Sequence, residues 1–242
     1  MPEPDKLETG IDGMDDLLNG GIPQNHSVFL AGPAGSGKTT FCLEYLYRGA
    51  QQGQNGLYIS FEETKDQIVG DLPFNWDLER KMQDGTINVV KYDPYQYENV
   101  IDLVRSSVKE NNAKRVVVDS LTALSLYVDN TKDVRKLILD MNETLRKLNC
   151  TTIYTGEIQA GHPDEISRYG VEEFIADGVI TLLLSQDGAE LTNRILIRKM
   201  RGTDHDKKIH PFKFENSGLK VYAKEEAFES SSSSSSHTDE PF

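Results

Sequence analysis

The sequence predicts an α/β domain: a mainly parallel, twisted sheet with helices on both faces and an antiparallel C-terminal extension. Apolar, β-rich runs recur along the chain, at residues 28–31, 57–61, 87–91, 116–119, 152–155 and 179–184. Between them, amphipathic patterns at helical spacing occupy residues 39–51, 97–110 and 133–148. Strands that alternate with helices in this way form βαβ units, and parallel strands are apolar throughout because helices cover both faces.

The last third of the chain has a different pattern. Residues 194–200 and 211–214 alternate apolar and polar side chains around turn-forming residues. The turn-forming triplet NSG then leads into a further run at 219–222. These features predict strands joined by tight turns, and therefore an antiparallel extension of the sheet.

The composition of the two chain ends indicates the domain boundaries. The charged residues and the serine run 230–236 cannot form a packed core. We expect an N-terminal extension over residues 1–8, one domain over 9–223 and a disordered tail over 224–242.

Charge and cysteine content limit the classes of function. The chain has 242 residues, with 26 Lys+Arg against 39 Asp+Glu and a net charge of -13 at pH 7. This field repels phosphate backbones, so nucleic acid is not expected as a partner. The acidity favours a halophilic proteome, and an ordinary acidic cytosolic protein is the alternative. With no apolar run near the roughly 18–20 residues of a membrane span, no signal peptide, and only Cys42 and Cys150, we expect a soluble, cytoplasmic protein without membrane insertion.

The stretch GPAGSGKTT, residues 32–40, follows an apolar run and opens an amphipathic helix. In that context the pattern predicts a P-loop, whose backbone N–H groups and helix N-terminus bind phosphates. Glycines keep Cβ atoms away from the phosphates. Lys38 is expected at the β- and γ-phosphates and the Thr39 hydroxyl at Mg²⁺. A chance glycine-rich turn is the alternative.

Asp119 ends the apolar run RVVVD and is the second predicted ligand of Mg²⁺, directly or through water. An aspartate that merely ends a strand is the alternative. A nucleoside triphosphate and Mg²⁺ are therefore the expected ligands, with Thr39 and Asp119 at the metal. The predicted nucleotide-binding residues are Gly32, Gly35, Ser36, Gly37, Lys38, Thr39, Thr40 and Asp119.

Two adjacent carboxylates, Glu62 and Glu63, follow the apolar run 57–61. Residues just past the carboxyl end of a parallel strand face the same crevice as the P-loop. Hydrolysis needs a group that orients the attacking water, so both are candidate catalytic residues, and Glu62 is favoured as the base. A solvated Glu-Glu turn that opens the next helix is the alternative.

Lys199 and Arg201, here called the basic pair, lie in the stretch KMRGT. In a strand they point to one side, with Met200 on the other. From a peripheral strand they cannot easily reach their own P-loop, but they could reach the γ-phosphate held by an adjacent protomer, as catalytic residues acting in trans. A solvated basic edge strand that deters aggregation is the alternative.

These motifs, in this order, resemble the KaiC family of the RecA superfamily over nearly all of residues 9–222. TGIDGMDDLLNGGIP is similar to the family's TGxxGLDxLLxGGxP, FEET to its catalytic turn, DSL to its Walker B end, and KMRGTDH to its KxRGTxH strand. The resemblance implies a RecA-type ATPase core that assembles as a hexameric homo-oligomeric ring. It also implies ATP at the subunit interfaces and a basic pair that acts across them.

Three features refine the resemblance. Two-domain members of the family carry a second, autophosphorylating domain, whereas this chain has one domain. Its run 168–174 looks like the first, hydrolytic domain, so autokinase activity is not expected. Asn25 stands where relatives usually carry glycine, and asparagine tolerates positive φ, so the turn is expected to survive.

Three functions remain open on the sequence. The first is a slow regulatory ATPase that serves an unidentified protein partner. The second is a non-hydrolysing ATP-binding scaffold or switch, like the ATPase-like subunit of the archaeal motility motor. The presence of all the candidate catalytic residues argues against this second function. The third, a RecA/RadA-type recombinase, is disfavoured because the segment 159–165 is short and acidic where DNA-binding loops are basic or aromatic.

Overall fold

A mixed sheet of nine strands crosses the described part of the computed structural model, which comprises residues 4–70, 72, 74–93, 95, 99–128, 130–158, 166–187 and 190–226. A separate sheet there has two short strands. The strands are β1 (Lys6–Leu7), β2 (Ile22–Pro23), β3 (Ser27–Gly32), β4 (Gly56–Ser60), β5 (Ile87–Lys91), β6 (Arg115–Asp119), β7 (Thr151–Glu157), β8 (Gly178–Asp187), β9 (Glu190–Met200), β10 (Ile209–Glu215) and β11 (Gly218–Val221).

Three long helices and several short ones connect these strands. The long helices match the three predicted amphipathic segments, although α5 begins at Val100 and residues 97 and 98 lie outside the described residues. The helices are α1 (Met14–Leu17), α2 (Lys38–Gln51), α3 (Lys65–Val69), α4 (Leu78–Gln83), α5 (Val100–Glu110), α6 (Leu121–Ser125), α7 (Thr131–Lys147) and α8 (Glu172–Ile175).

The strand order in the large sheet is β11-β10-β9-β8-β3-β7-β6-β4-β5. All neighbours from β8 to β5 pair in parallel, while β8, β9, β10 and β11 pair antiparallel in sequence order. This confirms the predicted mainly parallel sheet with an antiparallel C-terminal extension.

Helices cover both faces of the sheet. In β3, Val28 and Leu30 belong to one apolar core with α1 and α2, whereas Phe29 and Ala31 belong to a second core with α5 and α7. Side chains of a strand alternate between the two faces, so a strand buried on both sides must be apolar throughout. The uninterrupted apolar runs of the sequence have this cause. Cys42 and Cys150 are buried and unpaired.

The turn before β3 confirms the expectation for Asn25, whose φ is 62°. At the chain ends, Lys6–Leu7 of the predicted N-terminal extension pair with Ile22–Pro23. Residues 227–242 of the predicted tail lie outside the described residues, so their disorder stays a prediction. The segment 159–165 also lies outside them.

Arg115, at the start of β6, is completely buried and joins several segments of the chain. Its guanidinium carries five N–H donors, and the structure provides an oxygen acceptor for each. It also lies 4.7 Å from the centre of the Tyr45 ring. The acceptors are backbone oxygens of Glu8, Thr9 and Tyr45 and side-chain oxygens of Gln52 and Gln54.

Arg115→Met should lower the free energy of unfolding by on the order of 3 kcal/mol, because buried carbonyl oxygens lose their donors while apolar volume is retained. Urea denaturation measures this difference. The adjacent, exposed Lys114 provides the control: Lys114→Met should change stability by less than about 0.5 kcal/mol. Equal stability of the two variants would show that the buried guanidinium does not hold these segments together.

Candidate active site

A cleft of about 340 Å³ opens where four parallel strands end. β3, β4, β6 and β7 are neighbours in the parallel part of the sheet, so their carboxyl ends lie at one edge. Ligand sites in open α/β sheets form at this edge. The cleft is lined by Ala34, Gly35, Lys38, Thr39, Ser60, Glu62, Glu63, Asp119, Ser120 and Glu157.

The predicted P-loop connects β3 to α2. Gly37 precedes the helix with a φ of 91°, and Lys38 is the first helical residue. Gly35 has a φ of 76°, and a Cβ atom there would have no neighbour within 4 Å. The loop therefore turns through left-handed glycine conformations and leaves open space above its backbone.

Two loop glycines are required by packing. A Cβ atom at Gly37 would come within 2.3 Å of the Phe214 ring, and one at Gly32 within 2.5 Å of the Ser36 hydroxyl oxygen. That hydroxyl oxygen is buried and has no hydrogen-bond partner among the described residues. Gly32, Ser36, Gly37 and Thr40 thus belong to the loop and the helix start but do not line the cleft.

Lys38 crosses the mouth of the loop. Its Nζ donates to the carbonyl oxygens of Gly32 at 2.8 Å and Pro33 at 3.0 Å. Burial lowers the pKa of Lys38, and the negative charges of Glu157 and Asp119 act in the opposite direction. The ammonium group is thus held between the loop and the carboxylates.

Asp119 lies at the end of β6, where hydroxyl groups of two neighbouring strands fix its carboxylate. Tyr58 donates to one oxygen and Thr155 to the other. Burial and the charge of Asp119 raise the pKa of Tyr58 well above its usual value, while a hydrogen bond with Thr39 lowers it. Tyr58 thus remains protonated and links Thr39, in the first turn of α2, to Asp119. The Asp119–Ser120 peptide bond is cis.

Glu62 and Glu63 follow β4 in a turn held by Ser60. The hydroxyl oxygen of Ser60 accepts both backbone N–H groups, at 3.3 and 3.0 Å. The Ser120 hydroxyl donates to the Glu62 carboxylate at 3.3 Å. Burial raises the pKa of Glu62, with the hydrogen bond from Ser120 acting against it and nearby carboxylates adding to it.

Glu157 is a residue of the cleft that the sequence analysis did not identify. It ends β7, pairs in register with Gly32, and donates its N–H to the Thr122 hydroxyl oxygen at 3.1 Å. Its position follows the same rule that identified Glu62, since it ends a strand beside the P-loop strand. The apolar run at 152–155 stops two residues earlier, so this glutamate looked like part of a loop.

The basic pair lies at the opposite edge of the sheet. Met200, which stands between Lys199 and Arg201, pairs with Gly178, and Gly178 pairs with Val28. Val28 precedes Gly32 by four residues, or about 13 Å along the strand. The structure thus brings Glu62, Glu63 and Asp119 together with the P-loop and leaves the basic pair outside this cleft.

The basic pair binds the C-terminal end of α8 instead. Lys199 Nζ donates to the carbonyl oxygens of Glu173 at 2.9 Å and Ala176 at 2.6 Å. Arg201 donates to those of Phe174 at 2.9 Å and Ile175 at 3.4 Å. The last carbonyl groups of a helix lack partners within the helix and favour cations, which explains this arrangement.

Glu62→Gln should slightly raise the free energy of unfolding at pH 7, because partial desolvation in the cleft and the neighbouring carboxylates disfavour the charged form. A carboxyl group whose pKa is higher in the folded than in the unfolded protein lowers stability above that pKa and has no effect once both states are protonated. The gain should therefore vanish as the pH falls through about 4. Urea denaturation at both pH values tests this, with Glu79→Gln on the exposed side of α4 as the control. A gain that persists in acid would contradict it.

Known proteins are similar to this chain over most of its length. The family model described as "ATPase: KaiC" matches residues 7–226. A UPF0273 protein of Pyrococcus furiosus is 34% identical over 235 residues, which are 90% of this chain and 94% of the relative. The circadian clock oscillator protein KaiC of Parathermosynechococcus lividus is 33% identical over 229 residues, which cover 90% of this chain but 42% of that longer protein.

A solved structure supports the fold. The crystal structure of a KaiC-like protein from Pyrococcus horikoshii matches with a TM-score of 0.82 and 37% identity, over 91% of this chain and 100% of that chain. In the part of the chain that the structure describes, no helix combines the length and apolar character that a membrane span needs. The motifs, the fold and these similarities show that the chain belongs to the KaiC family of P-loop ATPases.

Proposed function

We propose that the protein binds ATP with Mg²⁺ and hydrolyses it slowly as a regulatory ATPase, at sites that a neighbouring copy completes. The charge of the cleft is the observation that carries this proposal. Four carboxylates, of Glu62, Glu63, Asp119 and Glu157, face one ammonium group, of Lys38, among the residues that line it. ATP would add more negative charge, so binding requires further cations.

The P-loop fits a triphosphate. Gly35 leaves its backbone open to a ligand, and Lys38 already bridges two loop carbonyls that a phosphate can replace as its partners. Backbone N–H groups of the loop and the N-terminus of α2 add partial positive charge. These groups would hold the β- and γ-phosphates.

Thr39 and Asp119 fit Mg²⁺, which takes oxygen ligands from one or two protein groups and from phosphates rather than a full protein cage. When bound, Mg²⁺ neutralises charge on the β- and γ-phosphate oxygens.

Glu62 is the proposed base, which orients the attacking water and accepts its proton. Its raised pKa suits this role, because a base is most effective when its pKa approaches the working pH. Glu63 would support the turn or contact the neighbouring copy. Ser120 holds the Glu62 carboxylate in place by its hydrogen bond.

The missing positive charge would come from the basic pair of the next copy. The two edges of the sheet differ in charge. The carboxylates of the cleft lie at one edge, and Lys199 and Arg201 lie at the other. Subunits that join such unlike surfaces head to tail form a closed ring when the rotation closes. The family resemblance indicates six copies, in which Lys199 and Arg201 stabilise charge that develops on the γ-phosphate.

A nucleotide-binding switch without turnover is the second candidate. The observation that favours it is the engagement of Lys199 and Arg201 by carbonyl groups of their own chain. In such a protein ATP would change assembly without being consumed. Sizing the protein with and without ATP and Mg²⁺, while phosphate release is measured, separates the two functions.

The double variant Glu62→Gln, Glu63→Gln should reduce phosphate release about 10²-fold or more, because removal of a general base typically has this effect. ATP binding should persist, since Lys38 and the loop are unchanged. Glu110→Gln, at the exposed end of α5, is the control with the same chemical change. Unaltered phosphate release in the double variant would show that the base is assigned wrongly.

A mixture of Lys38→Ala and Arg201→Ala copies should recover turnover that neither has alone. Each productive interface then combines an intact P-loop from one copy with an intact arginine from the other. Random assembly of equal amounts makes about a quarter of the interfaces productive. Co-assembly is verified by size, and each variant mixed with itself is the control. Mixed rings without any recovery would contradict catalysis in trans.

A further inference from the structure

Asp177 lies at the junction between α8 and β8, on the edge of the sheet that carries the basic pair. It is 5% exposed, yet its carboxylate has several partners. One oxygen accepts the N–H of Ser27 at 3.1 Å and Arg146 Nη2 at 2.6 Å. The other lies 3.5 Å from Arg201 Nη1.

The backbone strengthens this junction. The N–H of Arg201 donates to the carbonyl oxygen of Asp177 at 2.9 Å, and the N–H of Asp177 donates to that of Ser27 at 2.8 Å. Asp177 therefore binds Arg201 through both its backbone and its side chain. It joins the end of β9 to the first residue of β3.

The Asp177 side chain keeps its negative charge although it is buried. Burial alone would raise the pKa of Asp177, but the hydrogen bonds from Ser27 and Arg146 and the positive charge of Arg146 outweigh it, so that the pKa lies below its usual value. The side chain is thus a carboxylate at neutral pH and can attract a guanidinium group.

The guanidinium group of Arg201 remains available to another molecule. Its side chain is half exposed, and it carries five N–H donors. Three hydrogen bonds, to Phe174, Ile175 and Asp177, are formed within the described chain. At least two donors have no acceptor among the described residues, so the contacts fix the direction of the side chain and leave donors for another molecule.

We propose that Asp177 is the positioning residue of the trans-acting arginine: together with the α8 carbonyls it holds Arg201 ready for the γ-phosphate on the neighbouring copy. This inference rests on the proposed function. Strand β3 then has two roles. Gly32 at its end begins the P-loop, and Ser27 at its start binds the carboxylate of Asp177. Each nucleotide site is thereby connected through one strand to the arginine that serves the next site.

The test places Asp177→Asn in one copy or the other of the mixed ring. In a mixture of Lys38→Ala and Arg201→Ala copies, turnover uses the arginine of the first and the P-loop of the second. Asp177→Asn added to the Lys38→Ala copy should reduce the kcat of the mixture about ten- to hundredfold, because misplacement of about 1 Å has effects of this size. The KM for ATP should not change. Added to the Arg201→Ala copy, it should have little effect on kcat.

Arg146→Gln in the Lys38→Ala copy is the matched control. It removes the other ionic partner of Asp177 and leaves Arg201 in place, so kcat should stay within about twofold. Where Asp177→Asn fails to co-assemble by size, Asp177→Glu keeps the charge on a longer side chain and should also lower kcat alone.

The outcomes separate the two proposals. If the parent mixture shows no turnover, catalysis in trans and the role of Asp177 both fail. If the parent mixture is active and Asp177→Asn lowers kcat equally in either copy, or raises KM, Asp177 is a structural residue of its own domain and only the further inference is overturned. A loss confined to the copy that supplies the arginine supports it.

Discussion

The parallel pairing of β3 with β7 and β8 is the constraint on which the rest of the structure depends. It places the ends of β3, β4, β6 and β7 at one edge, and so brings together side chains that are far apart in sequence. It also places the start of β8 and the end of β9 at the other edge. The two edges are separated by the length of a strand, so no rotation of side chains can join them within one copy.

The two edges of the sheet also differ in charge. Carboxylates crowd the edge that carries the P-loop, where Lys38 is the cation among the residues that line the cleft. Lys199 and Arg201 stand at the other edge, held by helix carbonyls. A chain with net charge -13 repels copies of itself. In the ring proposed above, the local match between the two unlike edges would offset that repulsion and favour one orientation of association.

Most of the fold and much of the cleft could be predicted from the sequence, because both depend on short-range patterns. Apolar runs reveal strands buried on both faces, and the ends of those runs identified Glu62 and Asp119. Glu157 was missed because the apolar run of β7 stops at residue 155, two residues before it. The contacts of the basic pair were missed because α8 has four residues, too few to show helical periodicity. The role of Arg115 could not be predicted, since only tertiary structure reveals its acceptors.

Phe214 of β10 contacts the P-loop, which lies outside its own strand. Its ring fills the place where a side chain at Gly37 would stand, so the hairpin of β10 and β11 rests directly on the turn that opens α2. The hairpin of β10 and β11 therefore supports the P-loop. Translation of the phosphate loop precedes that of the hairpin by about 170 residues of chain. The loop acquires this backing only after the hairpin has been synthesised, and a product that stops before the hairpin would lack it.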